Sequence, residues 1–303
     1  MKTIQKRVTI ILAVIAFLLA LGLTLYPIVS NYVNQKYASQ IHTAYQEVME
    51  RADDTALQEA KGLATAYNRA IVPGTTEAYN QEGLQAASQN YDGLLNIAGD
   101  GIMGYVEIPK IQVLLPIYHG TEGETLERGI GHLLGSSLPV GGESTHTILS
   151  GHSGMASQKM FTDLGQLTNG DVFYLHVLNE TLAYQVTEIN TVLPHDTSLL
   201  GIAPGEDLCT LVTCTPYGIN THRLLVRGSR IPYEEAEEKV QNIQPEDIPE
   251  STWEQKYAMG IALGLLMVLI LVLTLAFIAP LFRRFRYTWK YRKTGGGKYG
   301  RRR

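Results

Sequence analysis

Residues 205–230 read GEDLCTLVTCTPYGINTHRLLVRGSR, and their pattern is that of two strands joined by a turn. The first run is apolar and β-branched up to Cys214, where Pro216, Tyr217 and Gly218 break the pairing. A second apolar run opens at Arg223. A hairpin closing through that turn returns Arg223 beside Cys214 at the end of the sheet. Strand ends set side chains at the mouth of a sheet or barrel, where a substrate can reach them.

The same texture extends outward. From Met103 to Ile231, short β-branched runs alternate with Gly, Pro and Asn: GYVEIPKIQVLLPIYHG at 104–120, THTILSGHSG at 145–154, DVFYLHVLN at 171–179 and LAYQVTEINTVLP at 182–194. Their spacing predicts six to eight strands in a closed barrel or a sandwich. Nothing alternates strand with helix in the manner of a parallel α/β fold, and no internal repeat is visible. Upstream, residues 34–70 lack Pro and carry apolar residues at helical spacing, such as Ile41, Tyr45, Val48 and Met49. Asp53, Asp54 and Thr55 mark a break and a new cap. An irregular stretch, IVPGTTEAYNQEG at 71–83, precedes a helical piece ending near Asn96 and turn chemistry at Gly99–Gly101. Downstream, residues 232–256 are acidic and punctuated by Pro, which predicts a solvated linker.

Two blocks, residues 8–29 and 257–281, contain no charge. At ~1.5 Å rise per residue each is long enough to span a hydrocarbon core of ~30 Å. We read both as membrane helices, the first as an uncleaved signal-anchor. A cleaved signal peptide is its rival, with a weak small-residue exit near Ser30. Of the 25 basic residues, 13 lie in the tails 1–7 and 282–303, which hold no acid; this leaves 12 against 29 acidic residues, a net charge of −17 between the tails. Basic flanks stay in the cytoplasm. The expected topology therefore has both termini inside, the cell membrane crossed twice, and residues 31–256 outside. A basic tail just past a membrane span meets anionic headgroups, which argues against nucleic acid as its partner.

An outside domain of this size builds a core without disulfides. Cys209 and Cys214 are five steps apart on one strand, ~16 Å between Cα atoms and on opposite faces, so they do not pair. Cys209 reads as a small buried hydrophobe. A thiol nucleophile needs access, a neighbour that favours thiolate, and donors for an oxyanion. Cys214 has the strand-end position, and Arg223 supplies a fixed positive charge and a fork of donors. The candidate imidazole is His152, closing an apolar strand between Gly151 and Gly154. His42, His119, His132, His146, His176, His195 and His222 compete, and His222 is the strongest rival because it adjoins Arg223. From residue types alone, a buried Cys with scattered surface histidines is the better reading. No close pair of the H-x-x-x-H kind occurs, so no metal is expected, and no cofactor.

Residues Thr210-Leu211-Val212-Thr213-Cys214 resemble the sortase signature strand, Thr-Leu-x-Thr-Cys, which carries that family's nucleophile. The continuation through Arg223 and the SGHSG around His152 are similar to sortases as well, in the same order along the chain. The resemblance implies a mainly-β fold, a sortase-type eight-stranded barrel over residues 103–231, with an N-terminal helical extension over 30–102. It implies a cysteine transpeptidase cleaving a Leu-Pro-x-Thr-Gly-like sorting signal after Thr. In that scheme Cys214 is the nucleophile, His152 the general acid and base, and Arg223 the group that stabilises substrate carbonyl or oxyanion.

The helical extension, the GDGIMGYVEIPKI and LPIYHGT stretches, and a second span with a basic tail resemble class C, the pilin-polymerising sortases. Sorting-signal-bearing surface proteins or pilins are then the expected partners, with a pilin lysine as acceptor. That class generally carries a lid with an Asp-Pro-aromatic tip. No Asp-Pro pair occurs in this chain; Glu77-Ala78-Tyr79 is the positional substitute, within a lid region expected near 72–84. The alternatives are a wall-anchoring sortase using a peptidoglycan amine, a hydrolytic cysteine protease, or a non-catalytic pilus-assembly protein.

Overall fold

The computed structural model describes residues 2–71, 90–155, 157–252, 255 and 257–270. Glu77, Tyr79 and the whole expected lid region lie outside the described residues, as do 271–281 of the second apolar block and the basic tail. The chain divides into two units, Gly22–Trp253 and a second one formed by the two terminal segments.

The larger unit is built on eight strands: β1 (Ile102–Ile108), β2 (Val113–His119), β3 (Ile130–His132), β4 (Thr145–Ser150), β5 (Val172–Val177), β6 (Glu180–Val192), β7 (Asp207–Thr215) and β8 (His222–Ile231). They close into a barrel in the order β1-β2-β3-β4-β7-β8-β6-β5. The expected mainly-β fold, with eight strands in a closed barrel, is what the chain forms. Closure removes free sheet edges. Most neighbours are antiparallel, but β2 with β3 and β4 with β7 run parallel. The β4–β7 pair sets Ser150 opposite Val212, so both strands end at the same rim.

Two helices precede the barrel: α1 (Lys2–Arg51) and α2 (Asp54–Ala70). The break expected at Asp53–Thr55 is present, with Asp53 in extended conformation ahead of α2. Tyr45 of α1 donates its hydroxyl to the Met103 carbonyl at 3.2 Å and accepts from the Leu178 amide at 2.9 Å. Asn68 of α2, 5% exposed, replaces a missing strand partner for Leu138, accepting from its amide at 2.6 Å and donating to its carbonyl at 3.1 Å. α1 thus covers β1 on its outer side, with Tyr45 and His42 edge-on to Tyr105, which is why six of the strand's seven residues are buried rather than alternating. Over Phe17–Arg51, α1 is long and apolar enough to cross a membrane. The described helical part of the second apolar block, Tyr257–Ile270, is shorter than a span.

A short helix, α3 (Gly123–Arg128), links β2 to β3. After β8 the chain departs from the solvated linker its composition predicts. Residues Tyr233–Gln241 form helix α4, whose Ala236 is fully buried and packs with Val172, Tyr174 and Ala183 of β5 and β6. Val240, one turn on and partly buried, packs against the same cluster, so the helix seats an Ala236–Val240 face between its glutamates.

Candidate active site

Strand β7 alternates in burial toward its end: Thr213 is 4% exposed, and Cys214 is partly exposed. Cys209 is fully buried, and desolvation pushes its thiol pKa well up, the state of an inert core residue. Both cysteines are free.

The β7–β8 hairpin pairs Cys214 with Arg223 as direct register partners, and Thr215 with His222. Directly opposite residues on antiparallel strands share a face, and their neighbours take the other. Arg223 therefore shares a face with Cys214, whereas His222 belongs with Thr215 on the opposite one. The His222 imidazole is engaged with the Thr221 hydroxyl at 3.0 Å. Among the described residues, the hydrogen bonds of Arg223 both leave from Nη1, to the carbonyls of Asn220 at 3.3 Å and His222 at 3.1 Å. Those bonds orient the guanidinium and leave Nη2 and Nε for a ligand.

His152 follows β4 by two residues and is bracketed by bonds to the end of β7. Gly151 donates its amide to the Val212 carbonyl at 3.0 Å, and its carbonyl accepts from Thr213 Oγ1 at 2.7 Å. Ser153 Oγ donates to the Cys214 carbonyl at 2.6 Å. The parallel β4–β7 pairing thus delivers residue 152 to the rim where the thiol sits. Gly151 is required there by space, since a Cβ would lie 2.6 Å from Ile130 Cδ1 and 2.7 Å from Phe161 Cδ2. Gly154 is required by conformation, with φ +79°, and a Cβ there would also meet the Tyr217 ring at 3.3 Å.

Five of the other histidines are occupied elsewhere. Burial pushes His132 and His146 down to about 4, so both are neutral donors and acceptors inside the barrel wall. His132 meets Tyr91 Oη at 2.7 Å and the Ser137 carbonyl at 2.9 Å. His146 meets the Gly201 carbonyl at 2.8 Å and Thr210 Oγ1 at 2.7 Å. His176 pairs with Glu107 at 2.7 Å, His119 meets the Leu94 carbonyl at 2.8 Å, and His42 packs edge-on against Tyr105. His195 lies exposed in the β6–β7 connection.

Cys214, Arg223 and His152 thus come to one rim. Sequence reasoning missed Ser153 and the tie from Thr213, although both stand inside quoted motifs; the hydroxyls at SGHSG and LVTC were the available signal. Taken together, the rim offers a partly exposed thiol, an oriented cation and an imidazole on a tethered loop. Those are the parts of nucleophilic acyl transfer.

Comparison with known proteins adds an independent line. A profile described as "Sortase domain" matches residues 106–231. The chain is 32% identical over 131 residues to sortase D of Bacillus subtilis (strain 168), covering 42% of this chain and 63% of that protein. Its match therefore spans less than two thirds of that relative's length. Among solved structures, sortase C1 of Streptococcus agalactiae is 45% identical, with TM-score 0.59, covering 64% of this chain and 98% of the other. Sortase C of Streptococcus pneumoniae is 42% identical, with TM-score 0.57, covering 64% and 97%.

Proposed function

Because this chain belongs to the sortase family, we propose that it is a cysteine transpeptidase in which Cys214, His152 and Arg223 carry the chemistry. The carrying observation is the register pairing of Cys214 with Arg223, beside a His152 loop tied to the Cys214 carbonyl through Ser153. The substrate is a Leu-Pro-x-Thr-Gly-like sorting signal. Cys214 passes its thiol proton to His152 as Sγ attacks the Thr carbonyl carbon, and the oxyanion that forms is held by the Arg223 guanidinium. His152 protonates the departing Gly amine as the C–N bond breaks, leaving a thioester. An incoming amine attacks that thioester, gives its proton to His152, and releases the thiolate as a new amide forms. The thioester conserves acyl-transfer potential, so no nucleotide is consumed.

The likeness to sortase C structures, one of them described in connection with pilin substrate specificity, supports class C. The acceptor is then a pilin lysine, and the product an isopeptide-linked pilus. The apolar stretch of α1 supports membrane anchoring. With the charge distribution of the sequence, it favours an extracellular catalytic domain with both termini cytoplasmic. We include a second membrane helix at 257–281 and a lid carrying Glu77 and Tyr79 in this reading.

The test is mass spectrometry of the full-length protein in detergent, wild type and Cys214→Ala, given a Leu-Pro-x-Thr-Gly peptide and a lysine-bearing acceptor. A Cys214 adduct that resolves onto the lysine amine is the expected result. Transfer only to a peptidoglycan-type amine would make it a wall-anchoring enzyme, and release only to water a hydrolase. A reactive Cys214 thiol with no adduct would overturn the assignment.

A further inference from the structure

Outside the rim, one buried carboxylate gathers more donors than any other group described. Asp163, 1% exposed, follows the loop that carries His152. Its Oδ1 accepts from the Thr252 amide at 3.0 Å, Thr252 Oγ1 at 2.5 Å and Gln166 Nε2 at 3.2 Å. Its Oδ2 accepts from Ser251 Oγ at 2.8 Å and pairs with Lys159 Nζ at 3.0 Å. Desolvation works against the charge, but the bonds from Thr252, Lys159 and Ser251 outweigh it and hold this carboxyl below its ordinary value.

Two separate flanks of the chain meet here. Ser251 and Thr252 close the segment that follows α4. From the other end, Asn31 of α1 accepts from the Lys159 amide at 3.1 Å, and Asn34 donates to the Ser157 carbonyl at 3.1 Å. Lys159 Nζ also reaches the Ile111 carbonyl at 2.7 Å. The turn these contacts fix is bonded to the loop at His152 and again at Gly154. Phe161 donates its amide to the His152 carbonyl at 3.0 Å, and Thr162 Oγ1 accepts from the Gly154 amide at 3.1 Å.

We propose that Asp163 is a positioning residue for His152, and that the Ser251–Thr252 strap is part of the active-site scaffold rather than a passive linker. The strap and α1 close on the Lys159–Asp163 turn, and that turn holds the imidazole-bearing loop at the rim. This proposal rests on the reading of His152 as general acid. Asp163→Asn is the direct perturbation: an amide nitrogen would face donors at one of the two oxygen positions, opening the clamp.

The experiment uses the full-length protein with two substrates: a Leu-Pro-x-Thr-Gly peptide, and the same peptide with a thioester replacing the Thr–Gly amide. A thiolate departs without a proton, so only the amide substrate needs the acid. In Asp163→Asn, the single-turnover rate of Cys214 acylation, which precedes the amine step common to both substrates, is expected to fall ~10–100-fold with the amide and less than about 3-fold with the thioester. Exchange of the Gly154 and Phe161 amides should quicken about tenfold or more. Ser251→Ala with Thr252→Val, which keeps the Lys159–Asp163 pair, should move both readouts in the same direction by less.

Equal losses on both substrates would reduce Asp163 to a general fold contact and overturn the proposal. So would unchanged exchange at Gly154 and Phe161, which is read whether or not the enzyme turns over. A wild-type protein forming no Cys214 adduct with either substrate would instead strike the sortase reading.

Discussion

Cys214 and Arg223 are direct partners across the β7–β8 hairpin, nine residues apart in sequence and side by side on one face. The Arg223 guanidinium is held by the carbonyls of Asn220 and His222. Arg223→Lys keeps a positive charge but loses the fork. Its kcat on a sorting-signal peptide should fall ~100–1,000-fold, the loss typical of one oxyanion donor. Steady-state kinetics with little change in KM would match that role; a loss confined to KM would assign Arg223 to ground-state binding.

The two cysteines should part company under a thiol reagent. Iodoacetamide applied to the native protein is expected to alkylate Cys214 and spare Cys209, which is fully buried with its thiol pKa pushed up. Peptide mapping reads the result. Cys209→Ala should retain activity within about 2-fold while losing ~1–2 kcal/mol of stability.

Gly151→Ala places a methyl group against Phe161 and Ile130 at under 3 Å. Both are core side chains, so the loop must move instead. We expect a loss of ~1–3 kcal/mol in denaturant unfolding. Activity on the amide substrate should fall further than thiol alkylation of Cys214, because the shift displaces His152 and not the cysteine.

His132 and His146 are neutral in the folded barrel, both pushed down to about 4 from 6.5. The unfolded chain binds their protons first. Stability is therefore full above pH 6.5 and is lost as pH falls from 6.5 through 4, by up to ~3 kcal/mol per histidine. Urea midpoints from pH 7.5 to 4 should show this slope, and His146→Gln should flatten it. A midpoint constant down to pH 4.5 in the wild type would contradict it.

Most of the barrel was legible because its information is local. The run from Gly205 to Arg230 carries two apolar strands and the turn between them, and a hairpin leaves one short way to close. Cys214 and Arg223 follow from that register. The break at Asp53 is likewise local chemistry. The parallel docking of β4 along β7 is not, since 62 residues separate His152 from Cys214 and no periodicity encodes which strands become neighbours. Asp163 was invisible for the same reason: Lys159 and Gln166 are near neighbours, but the donors that complete its shell, Ser251 and Thr252, lie 88 and 89 residues away. Composition also misread the segment after β8, where Ala236 and Val240, i and i+4 on one face, pack α4 against β5 and β6 despite four exposed glutamates.

The parallel β4–β7 pair also bears on the order of events in folding. A hairpin such as β7–β8 closes over a short loop, so the thiol and guanidinium meet early. Parallel neighbours need a long connection and cost more loop-closure entropy. The imidazole is thus expected to arrive last, when the barrel shuts. On the proposed roles, a half-formed chain would hold the thiol without its acid, and acyl-transfer competence would belong to the completed barrel alone.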